Sequence, residues 1–286
     1  GEMTFDAAAG VGNYHEHARD KLNATVFNIS HLGRQKWDKN ELHWGITYQR
    51  ELVFDKINEW EWRDSAGYSL PLSNTAMTLY NNINSDVNMY SNRVSAYLQE
   101  RFKKSGKSGK MTLDGGLRVS YWDFNKEWLI SPRVSFAWFP KKNSNWGFRF
   151  ATGIYYQSLF YKEMRQLKQE ENGNQEVVLN YDIKSPRSYQ LLAASDYYFR
   201  KWNRPFKFSV EMYGKYLDRI IPYIVENTQV TYLGKNCADG YAYGIDLKLF
   251  GEFVPGTDSW VSFSYMQTKI SPQFLYSFQY IINQEL

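Results

Sequence analysis

Ser188-Tyr-Gln-Leu-Leu-Ala-Ala-Ser-Asp-Tyr-Tyr-Phe199 sets Tyr189, Leu191, Ala193, Tyr197 and Phe199 on one side. Ser188, Gln190, Ala194 and Asp196 fall on the other. Three further segments before Lys269 repeat the pattern. Phe206, Phe208, Val210, Met212 and Tyr216 alternate with Lys207, Ser209, Glu211 and Lys215. Tyr241, Tyr243, Ile245, Leu247 and Leu249 oppose Gly244, Asp246 and Lys248, and Val261, Phe263 and Tyr265 oppose Ser262, Ser264 and Thr268. Side chains alternate across a strand, so each segment reads as a two-faced β-strand. One face carries rings and branched aliphatics, the other carries charges of both signs. A strand between lipid and a wet lumen has this composition.

Working outward, the connections are unequal. Lys201–Pro205 and Val254–Asp258 read as tight turns, while Arg219–Asp239 and Ser158–Arg187 read as long loops. Alternation recurs at Leu42–Tyr48, Val94–Phe102, Met111–Tyr121, Trp128–Trp138 and Trp146–Tyr156. Met3–Gly12, Asn23–His31 and Gln273–Asn283 read as further strands. Asn13–Lys21 and Gly33–Asn40 read as polar connections, and Asp55–Asp86 as a long loop. Long connections then share one end of the sheet and short turns the other, provided 124–127 belongs to the loop set. Rings sort by strand end too. Phe102, Trp138, Trp146, Phe199 and Phe206 lie near the short turns; Tyr121, Trp128, Tyr156, Tyr189, Tyr216 and Tyr241 lie near the loops. Two aromatic girdles mark the edges of a bilayer.

Composition agrees. Aromatics make up 18% of the 286 residues, with 23 Tyr and 10 Trp, yet only 43% are hydrophobic. Mean hydropathy is −0.58. Helical spans need about 20 consecutive apolar residues, and no such run occurs. A net charge of +4, without a dense basic cluster, points away from nucleic acid. Cys237, the single cysteine, forms no intrachain disulfide framework.

Several stretches resemble the barrel of TonB-dependent outer-membrane receptors of the Bacteroidetes type. They are Ser131-Pro-Arg-Val-Ser-Phe-Ala-Trp-Phe-Pro140, Phe148-Arg-Phe-Ala-Thr-Gly-Ile-Tyr-Tyr156 and Lys184-Ser-Pro-Arg-Ser-Tyr-Gln190. With them go Glu211-Met-Tyr-Gly-Lys-Tyr-Leu-Asp-Arg-Ile-Ile-Pro-Tyr223, Gly240-Tyr-Ala-Tyr-Gly-Ile-Asp246 and Trp260-Val-Ser-Phe-Ser-Tyr265. The resemblance covers roughly residues 38–269. It implies an all-β, antiparallel up-and-down transmembrane β-barrel in the outer membrane, of about 22 strands when complete. About twelve strands are expected here. No stretch matches the family's plug domain, and the ends at Gly1 and Glu285-Leu286 read as those of an interior or truncated piece. The expectation is a partial barrel over residues 1–286, without plug. The resemblance further implies uptake of a scarce nutrient and four partners: the TonB energy-transducing complex acting through a plug, outer-membrane lipid, a surface lipoprotein, and a small-molecule, glycan or peptide ligand. Two other readings stay open: a porin or adhesin barrel without energy coupling, and a soluble β-rich glycan-binding module.

No catalytic motif stands out, so no enzyme, cofactor or metal is expected. His15 and His17 share a face in extended chain, but no third ligand is evident. Glu59 and Glu61 form a carboxylate pair without a recognisable cleft. Cys237 has no nearby histidine to activate it. The long loops hold the binding candidates: Trp60, Trp62 and Tyr68; Tyr161, Arg165 and Tyr181; Tyr223, Tyr232 and Asn236. Rings offer stacking faces to sugars or chelates, and Arg pairs with carboxylates. The polar-face charges Asp114, Arg118, Arg133, Arg149, Asp196, Glu211, Lys215 and Asp246 either contact a plug or pair across strands.

Overall fold

The computed structural model describes residues 14–63, 78–169, 175–226 and 229–272. Fifteen strands and one 3-10 turn account for most of them. In chain order the strands are β1 Tyr14–Ala18, β2 Lys21–Lys36, β3 Asn40–Arg63, β4 Thr78–Gly106 and β5 Gly109–Trp122. Next come β6 Glu127–Pro140, β7 Trp146–Tyr156, the 3-10 turn Tyr161–Met164, β8 Arg165–Gln169 and β9 Gln175–Leu179. The last six are β10 Arg187–Lys201, β11 Arg204–Ile220, β12 Tyr223–Glu226, β13 Gln229–Tyr232, β14 Ala238–Val254 and β15 Thr257–Pro272. Thirteen strands, against about twelve expected, form one sheet in the order β1-β3-β4-β5-β6-β7-β10-β11-β14-β15. In it β2 pairs with β3, and the β8–β9 hairpin joins β4. The pairings β1–β3, β4–β5, β5–β6, β6–β7, β7–β10, β10–β11, β11–β14 and β14–β15 are antiparallel, and β12–β13 is a separate hairpin. No described helix is long and apolar enough to cross a membrane.

Register confirms the faces read from the sequence. Ala193, Met212, Ile245 and Tyr265 stand in one row, and Tyr197, Phe208, Leu249 and Val261 in another. The complementary rows are polar: Ala194, Glu211, Asp246 and Ser264, then Asp196, Ser209, Lys248 and Ser262. The same parity continues back through Phe150, Phe136 and Leu113 to Phe102. Apolar side chains on this face stay open: Leu191 is 51% exposed, Met212 55% and Phe263 61%. Apolar surface left in water costs about 25 cal/mol per Å², so a face this long needs an apolar surrounding.

Five short connections share one end. Residues 37–39, 107–108, 141–145, 202–203 and 255–256 make the returns there. Both Trp202 (φ 50) and Asn203 (φ 60) are left-handed, as a type I′ turn between twisted strands requires. Gly256 (φ 75) follows Pro255, the pairing that favours a type II turn. At the other end lie 123–126, 157–186 and 221–237, so the turn at 124–127 does belong to the loop set.

Several expectations need correction. Asn13–Lys21 is not all loop: β1 pairs with Glu59–Arg63, whose backbone supplies the partners its polar residues lack locally. Gly33–Asn40 shrinks to a three-residue turn, because β2 runs to Lys36. The loop at Asp55–Asp86 is largely strand, since β3 reaches Arg63 and β4 starts at Thr78. Charged and amide residues misled there: Lys56, Asn84 and Asp86 occupy the exposed parity while Val53, Ile57, Ile83, Val87 and Met89 are buried. β3 and β4 are 24 and 29 residues long, far beyond the strand of about 5–6 residues usual in soluble sheets. The loops 158–187 and 219–239 carry hairpins of their own, β8–β9 and β12–β13. The strands read at Met3–Gly12 and Gln273–Asn283 lie outside the described residues.

The chain divides into two compact units. One comprises Gly1–Val26, Glu51–Tyr90 and Arg165–Asn180; the other comprises Phe27–Arg50, Ser91–Met164 and Tyr181–Leu286. The first has a small core of Val53, Ile57, Ile83, Val87 and Val177. Its β8–β9 hairpin is anchored where Val177 N donates to Ser85 Oγ at 2.6 Å. In the second, a group of buried residues clusters at the loop end: Trp122, Ile183, Ser185, Met164, Ile221 and Cys237.

Candidate functional site

At the loop end of the second unit, three connections are tied to one carboxylate. Glu127, the first residue of β6, is buried. Its Oε2 accepts from Ser185 N at 2.9 Å and from Asn125 Nδ2 at 3.1 Å, and its Oε1 receives Arg219 Nη1 at 3.2 Å. The Asn125 amide also donates to Ile183 O at 2.8 Å. Glu127 thus joins 123–126, 157–186 and the end of β11. A charge can stay buried here because a guanidinium and two N–H donors meet it.

Asn236 ties the same connections from the other side. Its Nδ2 donates to Lys184 O and Arg219 O, and its Oδ1 accepts from Lys184 N, each at 2.7 Å. Arg219 itself is left-handed (φ 58), a strained backbone that this bracing holds. The Cys237 backbone N–H donates to Ile220 O at 3.2 Å, and burial pushes its thiol above the usual range. A thiol held protonated is a poor nucleophile, in keeping with a packing role.

Beside this clamp runs a ladder of rings. The Arg93 guanidinium lies 4.4 Å over Trp122. Trp122 stacks on Phe124 at 5.1 Å, and Phe124 on Tyr181 at 4.7 Å. Trp122 is 1% exposed and Tyr181 59%, so the stack leads from the core to the surface. Trp122 Nε1, Asn125 Oδ1 and Ser185 Oγ are buried without a protein hydrogen-bond partner, positions that water or a ligand ordinarily fills. Tyr223 and Tyr232 face each other across β12–β13, ring centroids 5.7 Å apart. Tyr223 is mostly exposed, and Tyr161 opens the 3-10 turn.

The remaining candidates belong to the first unit. Trp60 stacks on His17 at 4.4 Å, and Trp62 stands opposite His15 in the β1–β3 register. His15 and His17 therefore sit against tryptophans, and no described group of three His, Cys, Asp or Glu could hold a metal. Arg165 Nη1 binds Asp55 Oδ2 at 3.1 Å, fastening β8 to β3. Glu59 lies among carboxylates: burial first, then Asp20 beside it, raises its pKa from 4.5 to about 7. Tyr68 lies outside the described residues. Sequence reasoning missed Glu127, Asn125, Ser185 and the Trp122–Phe124 stack, because 124–127 carried no signal beyond that of a turn.

The polar face is laced by ion pairs toward the short-turn end. Arg101 Nε donates to Asp114 at 2.6 Å. Asp196, 3% exposed, accepts from Ser209 Oγ at 2.6 Å and meets Lys207 at 3.2 Å and Arg149 at 3.4 Å. Opposite, on the apolar face, Tyr189, Tyr216 and Tyr241 form a cross-strand row, capped by the Arg187–Asp218 pair.

No protein-family model and no curated protein matches the sequence. Solved structures do. The copper transporter OprC superposes with a TM-score of 0.60 at 13% identity, over 88% of this chain and 39% of that one. For the outer membrane transporter YddB from Escherichia coli the values are 0.54, 14%, 89% and 34%. The fold is that of an outer-membrane β-barrel. The RagAB peptide transporter agrees, with a TM-score of 0.53 at 13% identity over 92% of this chain and 32% of that one. This chain therefore spans between 32% and 39% of the length of these proteins.

Proposed function

We propose that this chain is barrel wall from a TonB-dependent outer-membrane receptor that takes up a scarce nutrient through a plugged barrel. The observation that carries the reading is the two-faced sheet. An unbroken apolar face with a tyrosine row backs a polar, ion-paired one, with five short turns at one end and the longest loops at the other. Outer-membrane barrels have short periplasmic turns and longer extracellular loops. On this reading the clamp at Glu127 and Asn236 lies outside the cell and shapes the ligand mouth. Tyr181 and Tyr223 offer exposed rings to solute; Trp60, Trp62, Tyr68, Tyr161 and Tyr232 are the further ring candidates for contact with it. Arg165 and Asn236, whose polar groups are engaged, act by holding the loops. OprC is a copper transporter and RagAB a peptide transporter, so the cargo follows from the mouth and not from the fold. The TonB complex acts through a plug, lipid surrounds the apolar face, and a surface lipoprotein is a further partner.

The test is uptake by cells expressing the complete receptor. Loss of uptake when the proton gradient is collapsed supports energy coupling. Persistent diffusive flux would replace this reading with a plain porin.

A further inference from the structure

On β4 to β7 the arginines of the polar face fall into two groups. Arg101 and Arg149, toward the short turns, are answered by Asp114 and Asp196. Arg118 and Arg133 are not. Arg118 donates only to Ser95 Oγ, at 3.3 Å, and the Arg133 guanidinium lies 4.3 Å over the Tyr155 ring. Among the described residues neither reaches a carboxylate. Arg118 stands directly opposite Ser131, two residues from Arg133. The two arginines are thus diagonal neighbours, about 7–8 Å apart at the backbone, and like charges at that spacing repel.

Both line a cavity of about 220 Å³ in the second unit, together with Arg93 and the hydroxyls of Ser95, Ser120 and Ser131. No carboxylate lines it. Drug-sized ligands occupy about 300–1,000 Å³, so this space suits one small anionic group. Guanidinium forks match the oxygens of carboxylates and phosphates, and the serine hydroxyls add donors that reorient freely.

We propose that this cavity binds an oxyanion, the carboxylate or phosphate group of a small acidic solute. The inference deepens the uptake reading and takes from it only the route by which solute reaches this face. Binding is measured without transport, so a failed titration and a failed test of energy coupling are separate results.

The experiment is calorimetric titration of the purified protein in neutral detergent micelles, at low ionic strength, with citrate and with inorganic phosphate. Saturable binding of at least one is expected, weakening as sodium chloride is added. Whichever binds tighter identifies the carboxylate or the phosphate as the preferred group. Arg118→Gln and Arg133→Gln should each lower affinity about tenfold, and the double variant should abolish binding. Arg200→Gln, at the β10–β11 turn, should change nothing. Heat-modifiable migration on a gel checks that each variant is folded. Absence of saturable binding in the folded wild type, or equal weakening by Arg200→Gln, overturns the proposal.

Discussion

Glu59 keeps its proton near neutral pH because burial penalises the carboxylate and Asp20 and Asp55 repel it, against the opposing pull of Arg165. The sign follows from linkage. A carboxyl with a folded pKa of about 7, raised from 4.5, adds stability below 4.5 that is lost as pH rises through 7. The end of β3 should therefore open more readily at pH 8 than at pH 5. Hydrogen exchange at residues 57–61, corrected for intrinsic rates, measures this, and Glu59→Gln should remove the pH dependence. An unchanged dependence in that variant would assign the effect to Asp20 or Asp55. The positive φ of Trp202 and Asn203 shows another residue-scale decision: the twist of β10 and β11 demands a left-handed turn, and the side chains bear it. Phe206 is a third case. It is buried although it belongs to the apolar face, because Gly251 opposite leaves room for its ring; a Cβ there would come within 2.1 Å of it.

Among the elements, β11 shows most clearly how period-two alternation becomes a two-faced wall. Met212 stands midway along its 17 residues, and Phe208 lies close to the turn. Met212→Arg should cost roughly 2–4 kcal/mol of folding stability in lipid, and Phe208→Arg less, since the penalty falls toward the interface. Lys207→Ala should be mild, because Ser209 and Arg149 still bind Asp196. Reversible urea unfolding in vesicles would rank the three. If Lys207→Ala were as damaging as Met212→Arg, the assignment of faces would be wrong. The loop connections follow a different logic. Replacing Glu127 by Ala leaves the Ser185 N–H without this acceptor, the Asn125 amide with Ile183 O alone, and Arg219 without this partner, at a cost of roughly 1–3 kcal/mol. Protease cleavage within 157–186 and 221–237 should then accelerate while the strands stay protected. Cleavage unchanged from wild type would show that the loops are held by other contacts.

For the whole molecule, the alternation in 188–265 made the apolar and polar faces legible, and the spacing of Gly and Pro made the short turns so. These are local properties: side chains alternate with period two whatever the partner strand, and a two-residue turn is set by its own dihedrals. The proposed mouth was legible only as a set of loops rich in rings. Tyr181 and Tyr223 prove exposed, whereas Arg165 and Asn236 are engaged in bracing. Nothing in the local sequence separates these two outcomes, because they depend on which distant residue arrives opposite. Glu127 meets Arg219 across 92 positions of chain, and Arg165 meets Asp55 across 110. The same holds for the arginines of the polar face. By itself the sequence determined a two-faced antiparallel sheet with unequal ends. Only the tertiary structure decided that Arg149 finds Asp196 while Arg118 and Arg133 find no acid among the described residues, because that pairing follows from register between strands, and register is a long-range property.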